Sequence, residues 1–264
     1  MNAESPKKKD IFGNDPPQII DNTEAFIKLM SNYESAMMEV ETKLKVLNLE
    51  FSLLYERNPF ETIKSRLKKP ASILEKLNRK GFPTSVESIE ENLFDIAGVR
   101  VICSFPEDIY ATAELLTQQD DIHVIDRKDY IAHPKENGYR SLHLILEVPI
   151  FLSTGKKFMK VEVQFRTIAM DFWASLDHKL KYKKNLDKAD YIAQQLKECA
   201  DIISSMDRKM QEIRSMIDSR NYPAELMENA EMEESDDHYE DSYGDMEFEF
   251  DYEADYEYDN GMSI

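Results

Sequence analysis

Three short clusters between Asp95 and Arg166, each on or beside a run of β-type residues, constrain the fold more than any other feature. They are Asp95-Ile-Ala-Gly-Val-Arg100, Lys135-Glu-Asn-Gly-Tyr-Arg-Ser-Leu-His143 and Val161-Glu-Val-Gln-Phe-Arg166. In a strand successive side chains point to opposite faces, so Val161, Val163 and Phe165 share one face and Glu162, Gln164 and Arg166 the other. The apolar trio demands a core, and the polar trio is aimed away from it. Taken alone, that polar row reads first as an ordinary solvent-facing row, and Asp95, where a strand opens, as a turn residue. Together the two carboxylates become a candidate magnesium site: hard oxygen ligands, few in number, leaving positions for phosphate oxygens and water. Two such acids ringed by Lys and Arg suit phosphoryl transfer on a nucleotide, and Arg100 can neutralise a phosphate across the same cleft.

The middle cluster lies on a long connection. Gly138 permits a positive φ and close backbone approach, and Tyr139 offers a flat face on which a purine can stack, worth about 1–3 kcal/mol by analogy with base–aromatic stacking. Asn137-Gly138 before an apolar strand is also a plain hairpin turn, and His143 is equally a satisfied core histidine. Upstream, Lys64, Arg66, Lys68 and Lys69 come before any compensating acid. On the helix expected next, Ser72, Lys76 and Lys80 follow one another at a spacing of four and share a face. A solvated charged face explains them at least cost, and a polyphosphate binder is the functional alternative.

Apolar residues recur at three and four from Asp21 to Tyr55 (Phe26, Leu29, Met30, Tyr33, Met37, Val40, Leu44, Leu47), the pattern of a long amphipathic helix. Asn58-Pro59 breaks it, and a short basic segment, 63–69, follows. Pro70 to Lys80 reads as a helix with Pro in its first turn and Gly81 just past its end. A short helix is expected over 85–93, strands over 96–104, 122–126, 142–149 and 157–165, and helices over 107–118, 167–183 and 188–217. Helices and strands intermingle without a regular βαβ repeat, which makes the class α+β, a mixed sheet flanked by helices with long helices at both ends.

The formal net charge of −19 is unevenly placed. Residues 222–264 hold 17 of the 52 acidic residues and none of the 33 basic ones, leaving the rest of the chain at −2. A general repeller of nucleotides is therefore excluded. The tail alternates acid and aromatic from Asp245 to Tyr258, but adjacent like charges oppose compaction, so disorder is expected. It reads as a solvating appendage, a partner-binding segment or an autoinhibitory strip over the basic cleft. Residues 1–18 are polar and read as a disordered leader. Cys103 and Cys199 match no metal-ligand spacing and both read as small buried residues. The N-terminus lacks the apolar core of a signal peptide and no run of about 18 apolar residues occurs. The expectation is a cytoplasmic protein with no membrane segment.

In order along the chain stand Arg66-x-Lys68-x-x-x-Ser72-x-x-x-Lys76-x-x-Arg79, Asp95-Ile-Ala-Gly-Val-Arg100, Tyr130-Ile-Ala-His-Pro-Lys-x-x-Gly-Tyr139, Val161-Glu-Val-Gln164 and Trp173-Ala-x-x-Asp-His178-Lys. This series resembles the small alarmone synthetases of the RelA/SpoT type, over roughly residues 20–220. The resemblance implies a nucleotidyltransferase-like fold with a synthetase domain over 19–221, a homotetramer, and transfer of pyrophosphate from ATP to the ribose 3′-hydroxyl of GTP or GDP, giving AMP and (p)ppGpp in the stringent response. It implies that Asp95 and Glu162 hold Mg2+, that Glu162 also accepts the hydroxyl proton, and that Gln164 positions that group. Arg66, Lys68, Ser72, Lys76, Arg79 and Arg100 would bind ATP and its transferred phosphates, Tyr139 would stack on guanine, and Lys135 and His143 would contact acceptor phosphates. Lys128, with Arg127 adjacent, would join the ATP-binding set, but it stands where the family pattern has Arg, and Lys stacks less well on adenine. The chain has no His before His123, so a hydrolase metal motif is not expected there and synthesis without hydrolysis is. Transfer to adenine nucleotides or a tRNA 3′ end, and a non-catalytic nucleotide or RNA sensor, remain as rivals. RNA or the product itself is a possible regulator.

Overall fold

A computed structural model describes residues 23–55, 58–181 and 189–218, and the expected leader and acidic tail lie outside them. In chain order the elements are α1 (Thr23–Tyr55), β1 (Phe60–Leu67), α2 (Pro70–Lys80), α3 (Val86–Asn92), β2 (Ala97–Cys103), α4 (Pro106–Thr117), β3 (His123–Asp129), β4 (Leu142–Leu152), β5 (Gly155–Thr167), α5 (Ile168–Lys181) and α6 (Ala189–Asp218). The strands form one mixed sheet in the order β1-β2-β5-β4-β3. Only β2 and β5 run parallel, while β1–β2, β4–β5 and β3–β4 are antiparallel. The α+β class read from the sequence is the one observed.

The alternation that begins at Val161 belongs to the central strand β5. Val161, Val163 and Phe165 are wholly buried, as are Val101 and Leu144 on the neighbouring strands. Burial of each such side chain contributes about 1.5–3 kcal/mol. Against this face lies α1, whose Leu29, Tyr33, Ala36, Val40, Leu44 and Leu47 recur at three and four and are all buried. α4 adds Ile109, Ala113 and Leu116 to the same core. The opposite face of the sheet is the polar one.

Helix α2 begins and ends where its sequence predicts. Pro70 occupies its first turn, and Gly81 takes φ 70° just beyond it, its N–H returning to the carbonyls of Leu77 and Asn78. β1 was not anticipated: 63–69 reads as a basic segment, yet Phe60–Leu67 forms an edge strand on β2. A register shift between Phe60 and Thr62 breaks the period of two, which leaves the apolar positions three and four apart instead of alternating. β3 likewise runs on through Arg127-Lys128-Asp129, past the expected end at 126, after a shift between Val124 and Asp126. Cys103 is buried, and burial pushes its thiol up to about 12. Cys199 is exposed, against expectation, because it falls on the outer side of α6. No described helix is long and apolar enough to cross a membrane.

Candidate active site

Sheet register brings the predicted residues together. Residues paired across neighbouring strands share a face, and on the polar face two transverse rows cross all five strands. One row is Lys64, Arg100, Gln164, His143 and Lys128, and the next is Arg66, Gly98, Glu162, Ile145 and Asp126. Arg66, Arg100, Lys128, His143 and the pair Glu162 and Gln164 were expected from separate stretches of sequence, and the topology collects them on one surface. The register also decides between two cations. Lys128 stands on the site face with its Nζ 3.7 Å from Asp126 Oδ2, whereas neighbouring Arg127 turns to the other side, 4.0 Å from Glu114.

Asp95 lies just ahead of β2, three residues before Gly98, which is the register partner of Glu162. Its Oδ2 accepts from Lys68 Nζ at 2.9 Å and Lys76 Nζ at 2.6 Å, and the three side chains are only 2–8% exposed. Helical spacing explains how Lys76 gets there: Ser72, Ile73, Lys76 and Leu77 form the buried face of α2. Burial by itself would raise the Asp95 pKa, but the two ammonium groups outweigh it and hold the carboxyl below its ordinary 3.8. Burial lowers the Lys76 ammonium below its ordinary 10.5, against the pull of Asp95. Asp95 Oδ1 is buried and accepts no hydrogen bond from the described residues, so only one oxygen of this carboxylate serves its lysines. Arg66 and Arg79 are exposed on the rim of the same edge.

The other half of the site is closed. Glu162 Oε1 lies 3.0 Å from His143 Nδ1, and both side chains are at most 4% exposed. The second ring nitrogen, Nε2, is 2.8 Å from the Tyr139 hydroxyl. Burial disfavours the charged imidazole, yet Tyr139 and the Glu162 carboxylate outweigh it and hold the His143 pKa above its ordinary 6.5. Both sequence readings of His143 thus bear on one side chain: a buried histidine that is also the close neighbour of the candidate catalytic acid.

Tyr139 is 5% exposed rather than displayed. Arg166 Nη2 donates to its hydroxyl at 2.6 Å and to Gln164 Oε1 at 3.0 Å. Arg166 Cζ and Lys135 Nζ stand 5.1 and 5.4 Å from its ring centre, and Lys135 is also 4.7 Å from the Tyr130 ring. Gly138 has φ 87°, and a β-carbon there would meet Ala200 Cβ of α6 at 2.6 Å, so this loop accepts only glycine while α6 is packed upon it.

Two residues escaped the sequence reading. Arg166 was placed on the polar side of β5 without a role, yet it ties Tyr139 and Gln164 together. Asp171, in the first turn of α5, lies 3.1 Å from Arg166 Nη1, 3.2 Å from Arg100 Nη1 and 3.7 Å from Lys64 Nζ. Its one signal in the sequence is that no other acid occurs between Gln164 and Leu176.

Comparison with known proteins agrees with this geometry. A pattern described as a region found in RelA / SpoT proteins matches residues 65–187. Over 186 residues the chain is 46% identical to GTP pyrophosphokinase YwaC of Bacillus subtilis, covering 70% of this chain and 89% of that protein. Its fold matches the crystal structure of small alarmone synthetase 2 of B. subtilis with TM-score 0.65 and 42% identity, covering 72% of this chain and 98% of that one. Small alarmone synthetase 1 of B. subtilis, bound to its product pppGpp, matches with TM-score 0.67 and 37% identity, covering 74% and 98%. With its ordered motifs gathered on one sheet face and these relatives matched over nearly their whole length, the chain belongs to the RelA/SpoT family, among the small alarmone synthetases.

Proposed function

We infer that this protein is a GTP pyrophosphokinase that transfers pyrophosphate from ATP to the 3′-hydroxyl of GTP or GDP, producing AMP and (p)ppGpp, without a hydrolase activity. The observation that carries this reading is the pair of transverse rows, which sets a buried carboxylate, an amide and a set of cations on one polar face. On this reading Arg66, Arg79 and Arg100 meet the ATP phosphates at the β1–α2 edge, and the buried Lys68 and Lys76 set the local potential from beneath. Glu162 accepts the 3′-hydroxyl proton, held in place by His143, while Gln164 orients the hydroxyl for in-line attack on the β-phosphorus. Ser72 is buried on the same face of α2 as Lys76 and serves the donor side. Lys128 is the side chain placed to meet the adenine. Lys135 moves from the Tyr139 ring to the acceptor phosphates, leaving that ring for guanine.

The donor set fits a divalent cation. Asp95 Oδ1 is an anionic oxygen with no hydrogen-bond donor among the described residues, and Glu162 stands on the adjoining strand beside Gly98. Mg2+ held by Asp95 and Glu162 would supply charge neutralisation at the transferred phosphates. Exposed apolar stripes on α5 (Ile168, Phe172, Leu176) and α6 (Ile202, Met206, Met210) favour burial against further copies of the chain, in keeping with a homotetramer. Light scattering on the purified protein reads that state directly.

Incubation with ATP, Mg2+ and either GTP or GDP, followed by chromatography of the nucleotides, tests the activity. AMP formed together with a guanosine tetra- or pentaphosphate is the expected result. Product appearing on adenine nucleotides or tRNA instead, or no turnover of ATP, overturns it.

A further inference from the structure

Asp171 is one carboxylate facing three cations from three different strands. Lys64 comes from β1, Arg100 from β2 and Arg166 from β5, at 3.7, 3.2 and 3.1 Å. Lys64 and Arg100 are register partners in the same transverse row, which continues to Gln164. Asp171 is 13% exposed, and it sits in the first turn of α5, where the helix N-terminus favours an anion. Three positive charges from three strands thus converge on one carboxylate at this corner of the polar face. The three cations are graded outward, from Arg166 at 1% exposed through Arg100 at 19% to Lys64 at 51%.

We propose that Asp171 is a positioning residue that holds Lys64 and Arg100 in place before nucleotide arrives and, through Arg166, joins the donor half of the site to the acceptor half. The second role follows from the reach of one guanidinium. Arg166 Nη1 is spent on Asp171, while its Nη2 donates to the Tyr139 hydroxyl and to Gln164 Oε1. The chain of contacts therefore runs from Lys64 and Arg100 through Asp171 and Arg166 to Tyr139, and from Tyr139 through His143 to Glu162. Asp171 touches neither reacting atom. It competes with a donor phosphate for the same two outer cations while fixing where they stand. The catalytic part of this assignment rests on the proposed reading, in which Arg100 meets the ATP phosphates.

The two roles pull measurable quantities in opposite directions. Asp171→Asn keeps the size of the side chain and removes its charge. Polyphosphate then no longer competes with the Asp171 carboxylate for these cations, so inorganic tripolyphosphate should bind the variant about tenfold more tightly in a calorimetric titration, and the KM for ATP should stay level or fall. With Arg100 and Arg166 no longer held, kcat should drop by about tenfold or more, a loss confined to the transition state. Asp171→Glu restores the charge, and should return tripolyphosphate affinity to the parent value with kcat partly recovered. Asp171→Ser gives the same charge test if the amide disturbs folding. A role in folding alone would lower stability without tightening polyphosphate binding. Weaker or unchanged tripolyphosphate binding by both uncharged variants overturns the proposal, as does an unchanged kcat. If the parent protein makes no product at all, the functional reading fails, and the tripolyphosphate comparison still judges Asp171.

Discussion

The two halves of the polar face handle charge in different ways. At the β1–α2 edge a buried carboxylate is held between two buried ammonium groups, and further cations, Arg66 and Arg79, stand exposed around it. At the β4–β5 centre Tyr139, His143, Glu162 and Arg166 are each at most 5% exposed, with their polar groups joined in one network. The first arrangement is ready for a polyanion, which is attracted from a distance and needs little shape. The second is closed, its side chains in contact with one another, so a ligand there meets groups that already have close neighbours. The centre of the face is therefore closed and its edge open.

Substitution at the centre of the network should separate the halves most sharply. Glu162→Gln removes the proposed proton acceptor, and product formation should fall by about a thousandfold or more, while ATP binding by calorimetry stays measurable. Near-normal AMP release by this variant would remove Glu162 from the chemistry. The same change takes away the carboxylate that helps to raise the His143 pKa, so the ring should titrate at lower pH by NMR.

At the donor edge the expected effect is on stability as much as on activity. Asp95→Asn leaves Lys68 and Lys76 buried without their anion, and breaking a buried pair in this way costs about 3–5 kcal/mol. Urea unfolding measures that loss directly. A variant as stable as the parent would mean that the edge does not depend on its central carboxylate.

Tyr139→Phe tests the closed half more gently. The hydroxyl lies within hydrogen-bond distance of both Arg166 and His143, and its removal should cost about 1–3 kcal/mol of stability, with the acceptor KM changed more than the ATP KM. Equal changes in both KM values would dissolve the division into two halves.

The smallest effect is set by pH. The folded-state pKa of Asp95 is depressed, so its contribution to stability is present above its ordinary 3.8 and is lost as pH falls through the lower folded value. Melting temperatures should therefore decline more steeply below pH 3.8 in the parent than in Asp95→Asn. Parallel curves would show that another group governs acid unfolding.

Much of this was legible in the chain. The period of two in β5, the three-and-four spacing of α1 and the Pro70/Gly81 bracket around α2 are local signals, each written within a few residues, and each matches an observed element. β1 was missed because its register shift hides the period, and Cys199 was misplaced because a helical pattern does not by itself say which side faces out. The candidate site divides along the same line. Glu162, Gln164 and Asp95 announce themselves through neighbours in sequence, whereas Asp171 acquires its role only from Lys64, Arg100 and Arg166, residues up to 107 positions away.

By itself, then, the order of residues determined every helix and all the strands but β1, and which side chains on them are polar, since periodicity is a property of neighbours. It also named the family, through motifs that keep their order. Only the tertiary structure decided that five strands align Lys64, Arg100, Gln164, His143 and Lys128 in one row, that Lys128 rather than Arg127 turns toward the site, and that Tyr139 is covered. Those outcomes depend on register and on which helix packs where, and both are settled by contacts between residues far apart in the chain.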